Sequence, residues 1–181
     1  MPTIPYITDQ DIDNKKAPAD LVAAIRARRA GGKLLNLDRM LLHSPPIARG
    51  WNTYMGSIRR ELNVPPVLRE LAICAVARLN RADYEWIQHA PEFLAAGGKP
   101  SQLDALNAIE HAHLDAVAFD RVELAVLKLT REMTQNIDVG KTTLDEIRAL
   151  LPNDQVVEIV GTIAAYNMVS RFLVALGIGP E

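Results

Sequence analysis

From Val156 to Leu176 the chain is apolar almost all round a helix. Val156, Val157, Ile159, Val160, Ile163, Ala164, Met168, Val169, Phe172, Leu173 and Leu176 fall on all sides of one helix. A helix with no polar face must lie at the centre of a core or be covered by another chain. Asn153-Asp154 caps this segment, which is expected to run to Gly177. No alternating strand pattern of useful length occurs elsewhere. Aromatic residues make up only 5% of the chain, while Ala and Leu are abundant. That balance favours helices over sheets. The expected class is therefore all-α, a multi-helix subunit of about eight or nine helices. At 181 residues the chain is long enough to bury one core, with room for an extension. The expected organisation is an N-terminal arm and helix over 1–33, then a helical domain over 34–181.

Several function classes lack support. The net charge is -2, so no nucleic-acid partner and no anionic membrane surface is expected. Cys74 is the sole cysteine, which excludes an internal disulfide and a cysteine-based zinc site. The N-terminus has no basic segment followed by an apolar one, so no secretory signal is read there. No apolar run approaches the ~20 residues that span a bilayer. A soluble cytoplasmic protein is the expectation. Phosphate-cradling glycine loops and nucleophile elbows are absent, and no cofactor is expected. His111-x-His113 with Glu110 and Asp115 could suggest a metal, but the spacing suits a polar surface loop better, and no metal is expected.

Punctuation residues place the remaining elements. Residues up to about Pro18 are polar and read as an arm. Ala19–Ala30 is expected to be helical, ended by Arg26, Arg28 and Arg29 and then Gly31-Gly32. A short helix follows over Leu34–His43, with His43 placed to cap its end. Ser44-Pro45-Pro46 opens a third helix to about Leu62, whose Ile47, Trp51, Tyr54, Met55 and Ile58 keep the 3.6 period. Val67–Leu79 and Ala82–Ala96 form a pair separated by Asn80-Arg81. Pro100 starts a short helix to about Ile109, and Glu110–Phe119 reads as a loop. Asp120-x-x-Glu123 and Thr143-x-x-Glu146 have capping-box form and should begin the next two helices.

The candidate chemistry lies in the middle of the chain. Glu85 and His89 stand at i and i+4, so carboxylate and imidazole share one helical face. Glu70 sits in the preceding helix with Pro66, Val67, Ile73 and Cys74 as its near neighbours. Burying a carboxylate is costly unless it is partnered, so a Glu on an apolar face marks either a structural ion pair or a site. Glu85 and His89 read blandly as a solvated surface pair; Tyr84, Trp86, Ile87 and Phe93 on the same helix argue against full exposure. Two carboxylates around one imidazole can separate an acid from a base. Glu70, Glu85 and His89 are thus the candidate catalytic residues, with His89 moving the proton, Glu85 orienting it and Glu70 as second acid/base or electrostatic partner. Tyr84, Trp86, Cys74 and Tyr54 are candidates for lining a binding site. The bland alternative for Cys74 is an inert core thiol, and for Tyr54 a place in the core.

Three segments carry a resemblance. They are Arg69-Glu70-Leu71-Ala72-Ile73 with Ala75 to Leu79, Tyr84-Glu85-Trp86 with His89 and Ala95-Ala96-Gly97, and Tyr166 to Arg171 with Ala175-Leu176-Gly177. Leu35 to Met40 through Ser44-Pro45 adds a fourth. Together they resemble the carboxymuconolactone decarboxylase family, which also holds the alkyl hydroperoxide reductase D (AhpD)-like peroxidases. The resemblance implies an AhpD-like helical subunit that assembles into dimers, trimers or hexamers. The peroxidase branch carries a glutamate, a Cys-x-x-Cys pair and a histidine. Its glutamate and histidine fall on Glu70 and His89, while its cysteines fall on Ala82 and Glu85, so both thiols are missing. The decarboxylase branch implies a cofactor-independent lyase or isomerase acting on a small carboxylated lactone or related organic acid. The alternatives are a peroxidase-like antioxidant that uses Cys74 and a non-catalytic helical oligomer.

Overall fold

The computed structural model describes residues 2–181, in which eleven α-helices and two short 3-10 turns occur and no strand. The all-α class agrees with the periodicity of the sequence. The helix count exceeds the expected eight or nine because two short helices fall in segments read as arm and loop. The chain divides into two compact units. One comprises the chain up to Glu61 together with Leu173–Glu181, and the other is Leu62–Phe172. Residues 33 and 34, the expected start of the helical domain, both lie inside the first unit.

The first unit holds α1 (Asp9–Asp13), α2 (Ala19–Arg28), α3 (Asn36–Leu41) and α4 (Pro45–Arg60). The expected arm is structured. Thr8 and Asp11 form a reciprocal capping box that starts α1. Ile7 and Ala17 are buried. Arg39 donates to the Ile7 carbonyl at 2.9 Å, and Thr3 N–H donates to the Leu176 carbonyl at 2.9 Å. His43 does not act as a simple helix cap: its Nε2 lies 2.8 Å from the Pro5 carbonyl, to which it donates. Two of these tethers run from later side chains to backbone carbonyls and the third joins main chain to main chain, so polarity along residues 2–18 does not reveal them. On α4 the buried face is Ala48, Trp51, Met55 and Ile58, whereas Ile47 and Tyr54 are exposed. Ile47 and Tyr54 share one edge of the expected face, and Ala48 on its other edge is buried, so the buried face is turned toward Ala48.

Asp38 ties α2, α3 and α4 together. It is fully buried and accepts two bonds from Arg29 at 2.8 Å, one from Arg28 at 3.3 Å and one from the Leu35 N–H at 2.9 Å. Arg28 also donates to Asn52 on α4 at 2.7 Å. Burial, then the like charge of Arg29, brings the Arg28 pKa down to about 10, so the guanidinium stays charged at neutral pH. Breaking a buried cluster of this kind from one side typically costs about 3–5 kcal/mol.

The second unit contains α5 (Pro66–Leu79), α6 (Asp83–Ala95), α7 (Pro100–Ala105), α8 (Ile109–Ala112), α9 (Arg121–Gln135), α10 (Lys141–Leu150) and most of α11 (Asn153–Leu176). Helix α5 is the helix buried all round, with every residue from Glu70 to Ala77 inside, and it packs on both α6 and α9. Leu71, Cys74, Ala75, Phe93, Leu106, Ala112, Phe119 and Leu127 form one core cluster. Burying a side chain such as Phe93 is worth about 1.5–3 kcal/mol.

Two of the sequence-based boundaries move. The expected loop over Glu110–Phe119 begins with α8, whose Glu110 accepts from Gln135 on α9. Helix α10 starts at Lys141 after Gly140, and not at Thr143. Thr143 lies inside that helix and is buried, because its hydroxyl is drawn to Glu132 of α9 at 2.7 Å. The Asp120 capping box of α9 is present as expected.

Helix α11 reaches 24 residues, and its most apolar 18-residue window has a mean hydropathy of 1.6 with half of the window buried. By length and composition alone it would suffice to cross a membrane, contrary to the expectation that no run would come close. Ile159, Ile163, Tyr166 and Val169 are buried, while Val157, Ala164, Met168 and Ala175 are exposed along one stripe.

Candidate functional site

The turn between α5 and α6 assembles the site. Asn80 caps α5, and Arg81 takes a left-handed conformation with φ of 55°. The Ala82 N–H then bonds back to the Ala77 carbonyl at 2.8 Å and the Arg81 N–H to the Arg78 carbonyl at 3.2 Å. This double closure is the Schellman arrangement, built here without glycine. It reverses the chain within three residues and lays α6 against α5. A second closure ends α6, where Gly97 has φ of 104° and the Gly98 N–H bonds to the Phe93 carbonyl at 2.9 Å. A Cβ on Gly98 would sit 2.3 Å from the Phe93 ring, so only glycine fits against that core aromatic.

The reversal brings mid-helix Glu70 to His89. His89 Nδ1 lies 2.7 Å from Glu70 Oε2, and both side chains are buried. Arg69 Nε donates to the other oxygen, Oε1, at 3.2 Å. Burial is the largest single influence on the Glu70 carboxyl and pushes its pKa up. The hydrogen bond and charge of His89, followed by the charge and hydrogen bond of Arg69, together outweigh it and hold the pKa below the usual value. The sequence left that balance open. An ionised carboxylate can only accept, so Nδ1 of His89 carries a proton. The carboxylate on Nδ1 of the imidazole is Glu70; the orienting role was expected of Glu85.

Glu85 is buried and accepts a short hydrogen bond from the hydroxyl of Ser170 on α11. One turn earlier on α11, the Tyr166 ring meets the His89 ring edge-on, with centroids 4.9 Å apart and planes at 89°. Neither Ser170 nor Tyr166 was among the candidate residues. The available signal was weak: a serine and a tyrosine, i and i+4, inside an otherwise apolar run. Asn167 extends the polar seam, donating to Thr134 of α9 at 3.0 Å and accepting from Asn80 at 3.0 Å.

The other candidates are distributed more widely. Cys74 has 0% exposure and belongs to the core cluster. Burial pushes its thiol pKa well above the usual range, and the negative charges of Glu70 and then Glu85 add to the shift. Tyr84 is buried beside Glu85 in the chain, and Trp86 is half-buried under the Arg78 guanidinium, 4.8 Å from its ring centroid. Tyr54 lies in the first unit and is 45% exposed. His113 is half-buried, and burial followed by the charge of Arg131 lowers its pKa. Among the described residues no three His, Cys, Asp or Glu side chains are grouped so as to hold a metal ion.

With its all-α helical architecture, the molecule has an AhpD-like fold. A peroxidase-related protein of uncharacterised function from Silicibacter sp. TM1040 superposes with a TM-score of 0.76 at 15% identity, over 99% of this chain and 94% of that one. The AhpD core of a peroxidase-related protein from Ralstonia eutropha JMP134 gives 0.76 at 17% identity, over 92% and 88%. The debrominase Bmp8, a variant in complex with 2,3,4-tribromopyrrole, gives 0.76 at 13% identity, over 100% and 94%. No functionally curated protein matches the chain in sequence. Residues 45–132, which hold Glu70, Glu85 and His89, match the model of the carboxymuconolactone decarboxylase family.

Proposed function

We propose that the protein is a cofactor-independent acid–base enzyme of the lyase or isomerase type, acting on a small carboxylated lactone or related organic acid. The contact that carries the reading is His89 Nδ1 to Glu70 Oε2 at 2.7 Å in a buried setting. A carboxylate on Nδ1 fixes the tautomer and stabilises the imidazolium, which makes Nε2 the atom that takes and returns a proton. The substrate proton is one on carbon next to a carbonyl, where the charge left behind is delocalised onto oxygen. Arg69 holds the far oxygen of Glu70 and keeps the carboxylate charged. Glu85 supplies a second carboxylate on the same face of α6.

The state of Cys74 weighs against the peroxidase alternative. Peroxide attack needs a thiolate, and a fully buried thiol with a raised pKa supplies little. Self-association is part of the proposal: Val157, Ala164 and Met168 form an exposed stripe of apolar and small residues on α11, followed one turn later by the exposed Arg171, that suits close packing with a second copy.

Deuterium exchange into a γ-butyrolactone carboxylate in heavy water, followed by proton NMR, tests the reading. Exchange catalysed by the wild-type protein and lost in His89→Ala supports it. Equal exchange by both proteins overturns it.

A further inference from the structure

Helices α6 and α11 meet in matched register. Glu85 pairs with Ser170, and His89, one turn later on α6, pairs with Tyr166, one turn earlier on α11. Two i,i+4 pairs on antiparallel helices thus form two rungs about 6 Å apart. Ser170 and Tyr166 are both buried. A buried serine inside a helix ordinarily returns its proton to the carbonyl one turn back. Here the hydroxyl instead crosses to the neighbouring helix and donates to a buried carboxylate.

Resting on the acid–base reading above, we infer that Ser170 is a positioning residue of this site, whose hydroxyl holds the Glu85 carboxylate in register with His89. A hydroxyl has one proton to give, so this donation fixes one oxygen of Glu85 and with it the carboxylate plane. Tyr166 fixes the imidazole plane on the adjacent rung. The two groups that flank the reaction are therefore set by residues of α11 that lie more than seventy positions further along the chain. Ser170 exchanges no proton with substrate; it acts through Glu85.

Thr and Val at position 170 have nearly the same shape and differ in the hydroxyl. Infrared difference spectra against Glu85→Gln locate the Glu85 carboxylate band. The band should shift in Ser170→Val and Ser170→Ala and return in Ser170→Thr. The rate of His89-dependent exchange should follow the same order, falling about 10–100-fold without the hydroxyl, the range for a hydrogen bond to a charged group, with KM little changed. Ser170→Ala keeps the test open if the bulkier pair fails to fold. A Glu85 band unmoved in Ser170→Ala overturns the assignment, as does a shifted band with full His89-dependent turnover. Wild-type protein without His89-dependent exchange defeats the acid–base reading itself and reduces Ser170 to a core hydrogen bond, which the band shift alone would then report.

Discussion

Glu70 and His89, nineteen positions apart, meet through a 2.7 Å contact between Oε2 and Nδ1 that is buried from solvent. The pair joins two helices whose relative placement is fixed by the three-residue reversal after Leu79. Everything proposed about the chemistry depends on that placement.

Glu70→Gln keeps the shape of the side chain and one acceptor oxygen but removes the charge that stabilises a protonated imidazole. Catalysed deuterium exchange should fall by about 100-fold to 10,000-fold, the range for a positioned acid–base group. The expected effect is on kcat, with substrate affinity largely retained. An unchanged kcat in a folded Glu70→Gln protein would show that the pair is structural only.

The depressed pKa of Glu70 has a consequence for stability. A carboxyl held below its unfolded value of 4.5 contributes stability that is fully present above that pH and is lost as pH falls through the folded value. Wild-type protein should lose Tm progressively below about pH 4.5. In Glu70→Gln this component of the acid slope should disappear. Thermal melts of the two proteins from neutral to acid pH would show it, and parallel curves would refute it.

Cys74 should behave as a core residue. In the folded protein it should react with a thiol reagent only at the rate of global opening, and Cys74→Ser should retain full deuterium exchange. The purified protein should not reduce alkyl hydroperoxides at the expense of a dithiol. Turnover that vanishes in Cys74→Ser would restore the peroxidase alternative.

The exposed stripe on α11 should carry self-association. Ala164→Glu introduces a charge between Val157 and Met168, two turns from the cation of Arg171, and burial of an unpaired charge in an interface is strongly unfavourable. Light scattering should show an oligomer for the wild type and a smaller species for the variant at micromolar concentration. A wild-type monomer would end this proposal.

Much of the fold is local and was therefore legible. Proline, glycine and capping residues mark the ends of α4, α5, α6 and α9, and the apolar period marks them as helices. The shared face of Glu85 and His89 follows from 3.6 residues per turn and nothing more. The anomaly of Glu70 was visible too, as a carboxylate among apolar neighbours. The family resemblance placed Glu70 and His89 in related positions. What the sequence did not determine is which carboxylate takes Nδ1, because that depends on the angle and register at which α5 and α6 close, set by the left-handed Arg81. It also did not show that the expected arm is tethered, since its partners Arg39, His43 and Leu176 are remote in the chain. Ser170 and Tyr166 are the clearest case. Within α11 they are one polar residue and one aromatic in an apolar run. Only the antiparallel packing of α11 on α6, with its matched one-turn spacing, turns them into partners of Glu85 and His89. Helical periodicity is written in neighbouring residues, whereas contacts between helices far apart in the chain come from side-chain packing, which no local pattern encodes.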